Sequence, residues 1–128
     1  MQLLLDTHTF LWFTRANPEL SEEARNLIED TQNELFLSVA SPWEVGIKVS
    51  VGKLTLGRQI DTFFEDRMGR SGIALLHITL AHIAKISTLP FHHRDPFDRM
   101  LIAQSLVEGI PIISADAVFD TYGVVRLW

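Results

Sequence analysis

The chain has no cysteine. That excludes disulfide bridges and thiolate metal sites and suits a reducing compartment, so a cytoplasmic location is the expectation. No apolar run reaches the roughly 18–20 residues of a membrane helix, and no membrane partner is expected. A leader peptide is not read either, because Met1 runs directly into Leu3-Leu4-Leu5 with no basic region or small-residue cleavage site. Internal repeats and low-complexity stretches are also missing. What is present is 128 residues, 47% hydrophobic and 21% charged, enough for one domain over 1–128 with its own core. The net charge of −5 argues against a surface that coats nucleic acid. It does not exclude an enzyme that acts on nucleic acid through a locally acidic site, and it would suit a basic partner.

Short apolar runs alternate with helical patterns along the chain. Strands are expected at Leu3–Leu5, Leu35–Ser38, Ile73–Leu76, Pro111–Ser114 and Val124–Leu127. Helices are expected over Thr7–Phe13, from Ser21, from Ser41-Pro42 to Val49, over Ile60–Met68, after Thr79, and over Phe97–Glu108. The alternation implies an α/β fold, with a parallel sheet of four to five strands flanked by helices as a three-layer sandwich.

Four acids fall where a strand ends or a helix begins: Asp6, Glu44, Asp98 and Asp116. In parallel sheets ligands bind at the carboxyl ends of the strands. If the first and fourth strands are neighbours, Asp6 and Asp116 open onto one crevice. Carboxylates gathered there repel one another unless a cation neutralises them, and an all-oxygen ligand set selects Mg²⁺ or Mn²⁺. Such ions use phosphate oxygens as further ligands, which points to phosphoryl chemistry. Thr7 and Ser114 could hydrogen-bond carboxylates or water around the ion.

Each acid also has a plainer reading. Asp6 and Asp116 are equally natural helix caps. Ser41-x-x-Glu44 matches a capping box, and local physics favours that role for Glu44. Asp95-Pro96 reads as a cap followed by proline in the first turn, leaving Asp98, further into the helix, as the better ligand. His92-His93 could be sketched as a zinc site but lacks a third ligand. His8 reads as a helix-surface residue, and His77 and His82 as ordinary strand-end and helix residues. Trp12, Phe13 and Trp43 read first as core.

Four segments together resemble PIN-domain proteins, and more narrowly the VapC toxins of toxin–antitoxin pairs. They are Leu3–His8, Ser38–Glu44, His93–Gln104 and Ser114–Asp116. The likeness runs over essentially the whole chain, and Asp95–Gln104 is its most specific part. It implies a metal-dependent endoribonuclease acting on RNA, a cognate antitoxin and a homodimer. The family's acidic quartet falls on Asp6, Glu44, Asp98 and Asp116, with Asp120 as a nearby substitute for the last. Arg94 and Arg99 could hold substrate phosphates or compensate Asp95 and Asp98. The aromatic set near the acids could receive an amphipathic antitoxin segment. Rival readings are a receiver- or phosphatase-like domain, which lacks its second acid here because His8 stands at that position, and a non-catalytic binding module.

Overall fold

A computed structural model describes residues 1–128. The elements run β1 (Gln2–Leu5), α1 (Thr7–Thr14), α2 (Glu22–Glu29), β2 (Glu34–Ser38), α3 (Ala40–Ser50), α4 (Ile60–Ser71), β3 (Ile73–Leu76), α5 (Leu80–Ile86), α6 (Pro96–Glu108), β4 (Ile112–Ile113), a 3-10 helix (Ala117–Tyr122) and β5 (Arg126–Leu127). The strands are all parallel, in the order β3-β2-β1-β4-β5. Leu5 stands opposite both Leu37 and Ile113, so the first and fourth strands are neighbours, which is the condition for Asp6 and Asp116 to share a crevice.

Successive strand side chains point to opposite faces. Leu3 and Leu5 join Phe10, Ala24, Phe63 and Phe64 in one core, under α1, α2 and α4. Leu4 joins Leu101, Ile102, Ile112 and Phe119 in a second, under α6 and the 3-10 helix. A strand buried on both faces must be apolar throughout, which is why Leu3-Leu4-Leu5 shows no polar alternation. α5 packs outside on α6. No helix is long and apolar enough to cross a membrane.

Local chemistry sets most helix ends. Ser21 Oγ accepts the Ala24 N–H at 3.0 Å. Asp95 Oδ1 accepts the N–H groups of Phe97 and Asp98 at 2.9 and 3.1 Å, with Pro96 in the first turn. α4 runs past the expected stop at Met68, because a glycine such as Gly69 weakens a helix by about 1 kcal/mol without ending it. The left-handed turn that ends α4 is made at Gly72, φ 64°. β4 and β5 are shorter than the expected runs. The 3-10 helix carried no clear sequence signal; Phe119 and Tyr122, three residues apart, form its buried side.

Candidate functional site

The carboxyl edge of β1, β2 and β4 is one rim, and the acids arrive there on separate segments. Asp6 follows β1. Its N–H donates to the Ile113 carbonyl at 3.1 Å, and its own carbonyl accepts the Phe10 N–H at 3.0 Å. The backbone thus stands at the N-cap of α1, yet the side chain makes no capping bond. The carboxylate instead accepts the Ser114 hydroxyl at 2.8 Å. Ser114 Oγ in turn accepts the Asp116 N–H at 3.0 Å, so one buried hydroxyl ties the ends of β1 and β4 together. Asp116 is exposed, and its Oδ1 caps the 3-10 helix through the Val118 N–H at 3.0 Å.

The capping box expected at Ser41 and Glu44 does not form. α3 starts two residues earlier, at Ala40, with Val39 rather than Ser41 at the cap position. Ser41 Oγ is drawn instead to Thr7 Oγ1, 2.8 Å away and 34 positions earlier in sequence. Freed from capping, Glu44 is buried. Its Oε2 accepts Lys48 Nζ at 2.9 Å, while Oε1 is buried with no partner. An orphaned buried carboxylate oxygen is costly in a folded protein and marks a place for a missing cation or donor.

Asp98 sits in the first turn of α6, with its side chain 19% exposed. Asp95, the exposed cap, keeps the structural role expected of it. His93 Nε2 lies 3.5 Å from Asp98 Oδ2. Arg99 corrects an expectation: it is buried, and none of its hydrogen bonds goes to Asp95 or Asp98. Its guanidinium donates to the Pro90 carbonyl at 2.7 Å, the Leu89 carbonyl at 3.2 Å and Tyr122 Oη at 3.3 Å. Those bonds hold the loop before α6. Arg94 is exposed, and the hollow it lines contains Ile86, Ser87 and Phe91 but none of the four acids. Asp120 is also reassigned: Arg126 grips it with two bonds, 2.9 and 3.0 Å, so it is no free substitute for Asp116.

The electrostatics bind these pieces into one site. Burial raises the Asp6 carboxyl above its ordinary value, outweighing the lowering by the Ser114 hydrogen bond and His8, and Glu44 raises it further. Asp98 is pushed up to about 8, first by burial and then by the charges of Asp95, Asp6, Glu44 and Asp116. The charges of Asp6, Glu44 and Asp116 are therefore near enough to Asp98 to oppose its ionisation. The four acids have not collapsed onto one point, since no three His, Asp or Glu side chains are arranged to enclose an ion. The roomier hollows, of 440 and 450 Å³, lie along α2 and contain none of the four acids, whereas a 290 Å³ groove beside the rim includes Glu44, Asp95 and Phe97.

Residues 3–125 match the PIN domain. The chain belongs to the PIN-domain family. A 62-residue stretch is 37% identical to Ribonuclease VapC16 of Mycobacterium tuberculosis, covering 48% of this chain and 44% of that protein. The match therefore spans less than half of the relative's length. The PIN fold also recurs in VapBC2 of Rickettsia felis, crystallised with a promoter DNA fragment, at TM-score 0.71 and 12% identity over 99% of this chain and 98% of that one. FitAcB of Neisseria gonorrhoeae gives TM-score 0.65 and 16% identity over 98% and 96%. At those identities the likeness is one of fold.

Within this PIN domain the aromatic set divides. Trp12 and Phe13 pack against the core, Trp12 also against Trp128 at 5.9 Å. Trp43 is 61% exposed, edge-on to Phe97 at 5.1 Å, so the core reading fails for it. Sequence reasoning passed over Tyr122, whose hydroxyl contacts both His93 and Arg99. His82 lies in α5, as read, and is fully buried: Nδ1 accepts the Thr79 N–H at 3.1 Å and Nε2 meets Glu108 at 3.0 Å. Thr79-x-x-His82 is a local capping box, whereas no local pattern announces the Tyr122 contacts or the pairing of His82 with Glu108.

Proposed function

We propose that this PIN domain is a divalent-metal-dependent endoribonuclease of the VapC type, acting as the toxin of a pair with a protein antitoxin. The observation that carries the reading is the buried acidic rim: three carboxylates of low exposure, two of them held above their ordinary ionisation range and one with an orphaned oxygen. The donor set fits Mg²⁺ or Mn²⁺, being all oxygen and open, as suits ions that keep several waters. Asp6 and Asp98 would hold the ion, with Glu44 and Asp116 completing its surroundings directly or through water. A bound ion supplies positive charge for phosphate oxygens and lowers the pKa of a water.

The chain's own residues supply the rest. Ser114 donates to Asp6 Oδ2 and so fixes the carboxylate's orientation. The Asp95 cap sets the first turn of α6, and so the place of Asp98. Water attack on phosphorus then breaks one P–O ester bond of RNA, and the departing oxygen takes a proton. The 37% identity to a ribonuclease and the fold shared with VapBC2 and FitAcB support both the activity and the partner class. The exposed Trp43 beside Glu44 gives an apolar anchor for an antitoxin segment, and a homodimer is proposed on family likeness alone. Asp6→Asn keeps the shape and removes the charge. It should cut metal-dependent RNA cleavage by at least about 10- to 100-fold, the loss typical of groups that only orient a ligand, with the unfolding midpoint not lowered. Wild-type cleavage by that variant, free of contaminating nuclease, would sink the assignment.

A further inference from the structure

Tyr122 Oη is the hub of a buried polar chain. A phenol oxygen has two lone pairs and one proton. The lone pairs are taken by the His93 backbone N–H at 3.1 Å and by Arg99 Nη1 at 3.3 Å. The proton has two acceptors in reach: His93 Nδ1 at 2.8 Å and the His93 carbonyl at a marginal 3.5 Å. It goes to Nδ1. An Nδ1 that accepts cannot carry a hydrogen, so the ring proton sits on Nε2. That nitrogen is buried, has no hydrogen-bond partner, and faces Asp98 Oδ2 at 3.5 Å.

Arg99 makes the assignment firm. Its charge cannot be removed at ordinary pH, so it always donates, and with the backbone N–H it saturates the phenol's lone pairs. Its Cζ lies 4.1 Å from the centroid of the Phe91 ring, and its other donors hold the Leu89 and Pro90 carbonyls. The hub therefore cannot turn round.

We infer that Tyr122 locks His93 as its Nε2–H tautomer, making His93 a positioning residue that offers a donor to one Asp98 oxygen and leaves the other for the metal. This rests on the metal-dependent reading above. The arrangement resembles the outer hydrogen bonds by which ligating side chains are commonly oriented, whose loss weakens metal affinity about 10- to 100-fold. The alternative is that His93 only anchors the loop before α6.

The test has two arms on the full chain. Nitrogen NMR of ¹⁵N-histidine protein, metal-free and with Mg²⁺, should show His93 protonated at Nε2 and bare at Nδ1, and Tyr122→Phe should release that pattern to a tautomer mixture. A ring protonated at Nδ1, or a pattern indifferent to Tyr122→Phe, overturns the lock. In the second arm Mn²⁺ is titrated. His93→Leu should bind about 10- to 100-fold more weakly, and His93→Gln, whose amide N–H can stand in for Nε2–H, should stay close to wild type. Wild-type affinity in His93→Leu, or equal losses in both variants, overturns the positioning role. Wild type that binds no Mn²⁺ strikes the functional reading instead, while the nitrogen shifts still judge the lock.

Discussion

Two groups of aspartates in this small domain live under opposite conditions. On the surface, Asp66 is met by Arg58 at 3.2 Å and Arg70 at 3.1 Å, and Asp120 by Arg126. Desolvation works to raise Asp66, but the Arg58 hydrogen bond and the Arg70 and Arg58 charges outweigh it, leaving the carboxyl below its ordinary value. The Arg126 hydrogen bond does the same for Asp120. At the rim, Asp6 and Asp98 are raised, with burial as the first cause for both. Lys48 reaches a single Glu44 oxygen there. The chain thus matches acids to cations where the match stabilises little and gives Asp6 and Asp98, the two raised carboxyls, no Lys or Arg partner. A fold that tolerates such a rim is built around a charge that comes from outside.

The largest break in this comparison comes from pH. Unfolded, Asp98 ionises at the ordinary 3.8; folded and metal-free, at about 8. Between those values the folded state holds the extra proton, so the stability Asp98 contributes is full below about pH 4 and lost as pH rises through about 8. Asp6 acts in the same direction. The thermal midpoint of the metal-free protein should therefore fall by several degrees from pH 5 to 8.5, and Asp98→Asn should flatten that slope. A slope unchanged in Asp98→Asn would place the buried proton elsewhere.

The smallest effect belongs to the paired surface acids. Arg70→Ala leaves Asp66 its second partner, Arg58. Thermal melts should show a midpoint almost unmoved, with the pH slope unaltered. A loss as large as any at the rim would erase the distinction between the two regions.

The sheet was legible because burial on both faces writes itself as uninterrupted Leu3-Leu4-Leu5, and the rim because parallel strands end where their acids follow. Asp95 was legible as a cap because its partners are two and three residues away. What local pattern could not carry was choice among distant partners. Ser41 satisfies every local requirement of a capping box, yet its hydroxyl goes to Thr7. Arg99 reads as a free cation until the loop before α6 folds its carbonyls over it. Tyr122 and His93 meet across 29 positions. Each miss is a long-range hydrogen bond that outcompeted a plausible short-range one or an exposed one.

The central claim, that the rim is completed by a divalent cation, is tested most directly by titrating Mn²⁺ into metal-free protein at pH 7 by calorimetry in two buffers of different ionisation enthalpy. Asp98, with its carboxyl near 8, is mostly protonated at that pH. Binding at the rim must therefore expel protons, on the order of one per ion, and the apparent heats in the two buffers must differ accordingly. Saturable binding with proton release is the predicted result. No binding, or binding with identical heats in both buffers, would contradict it.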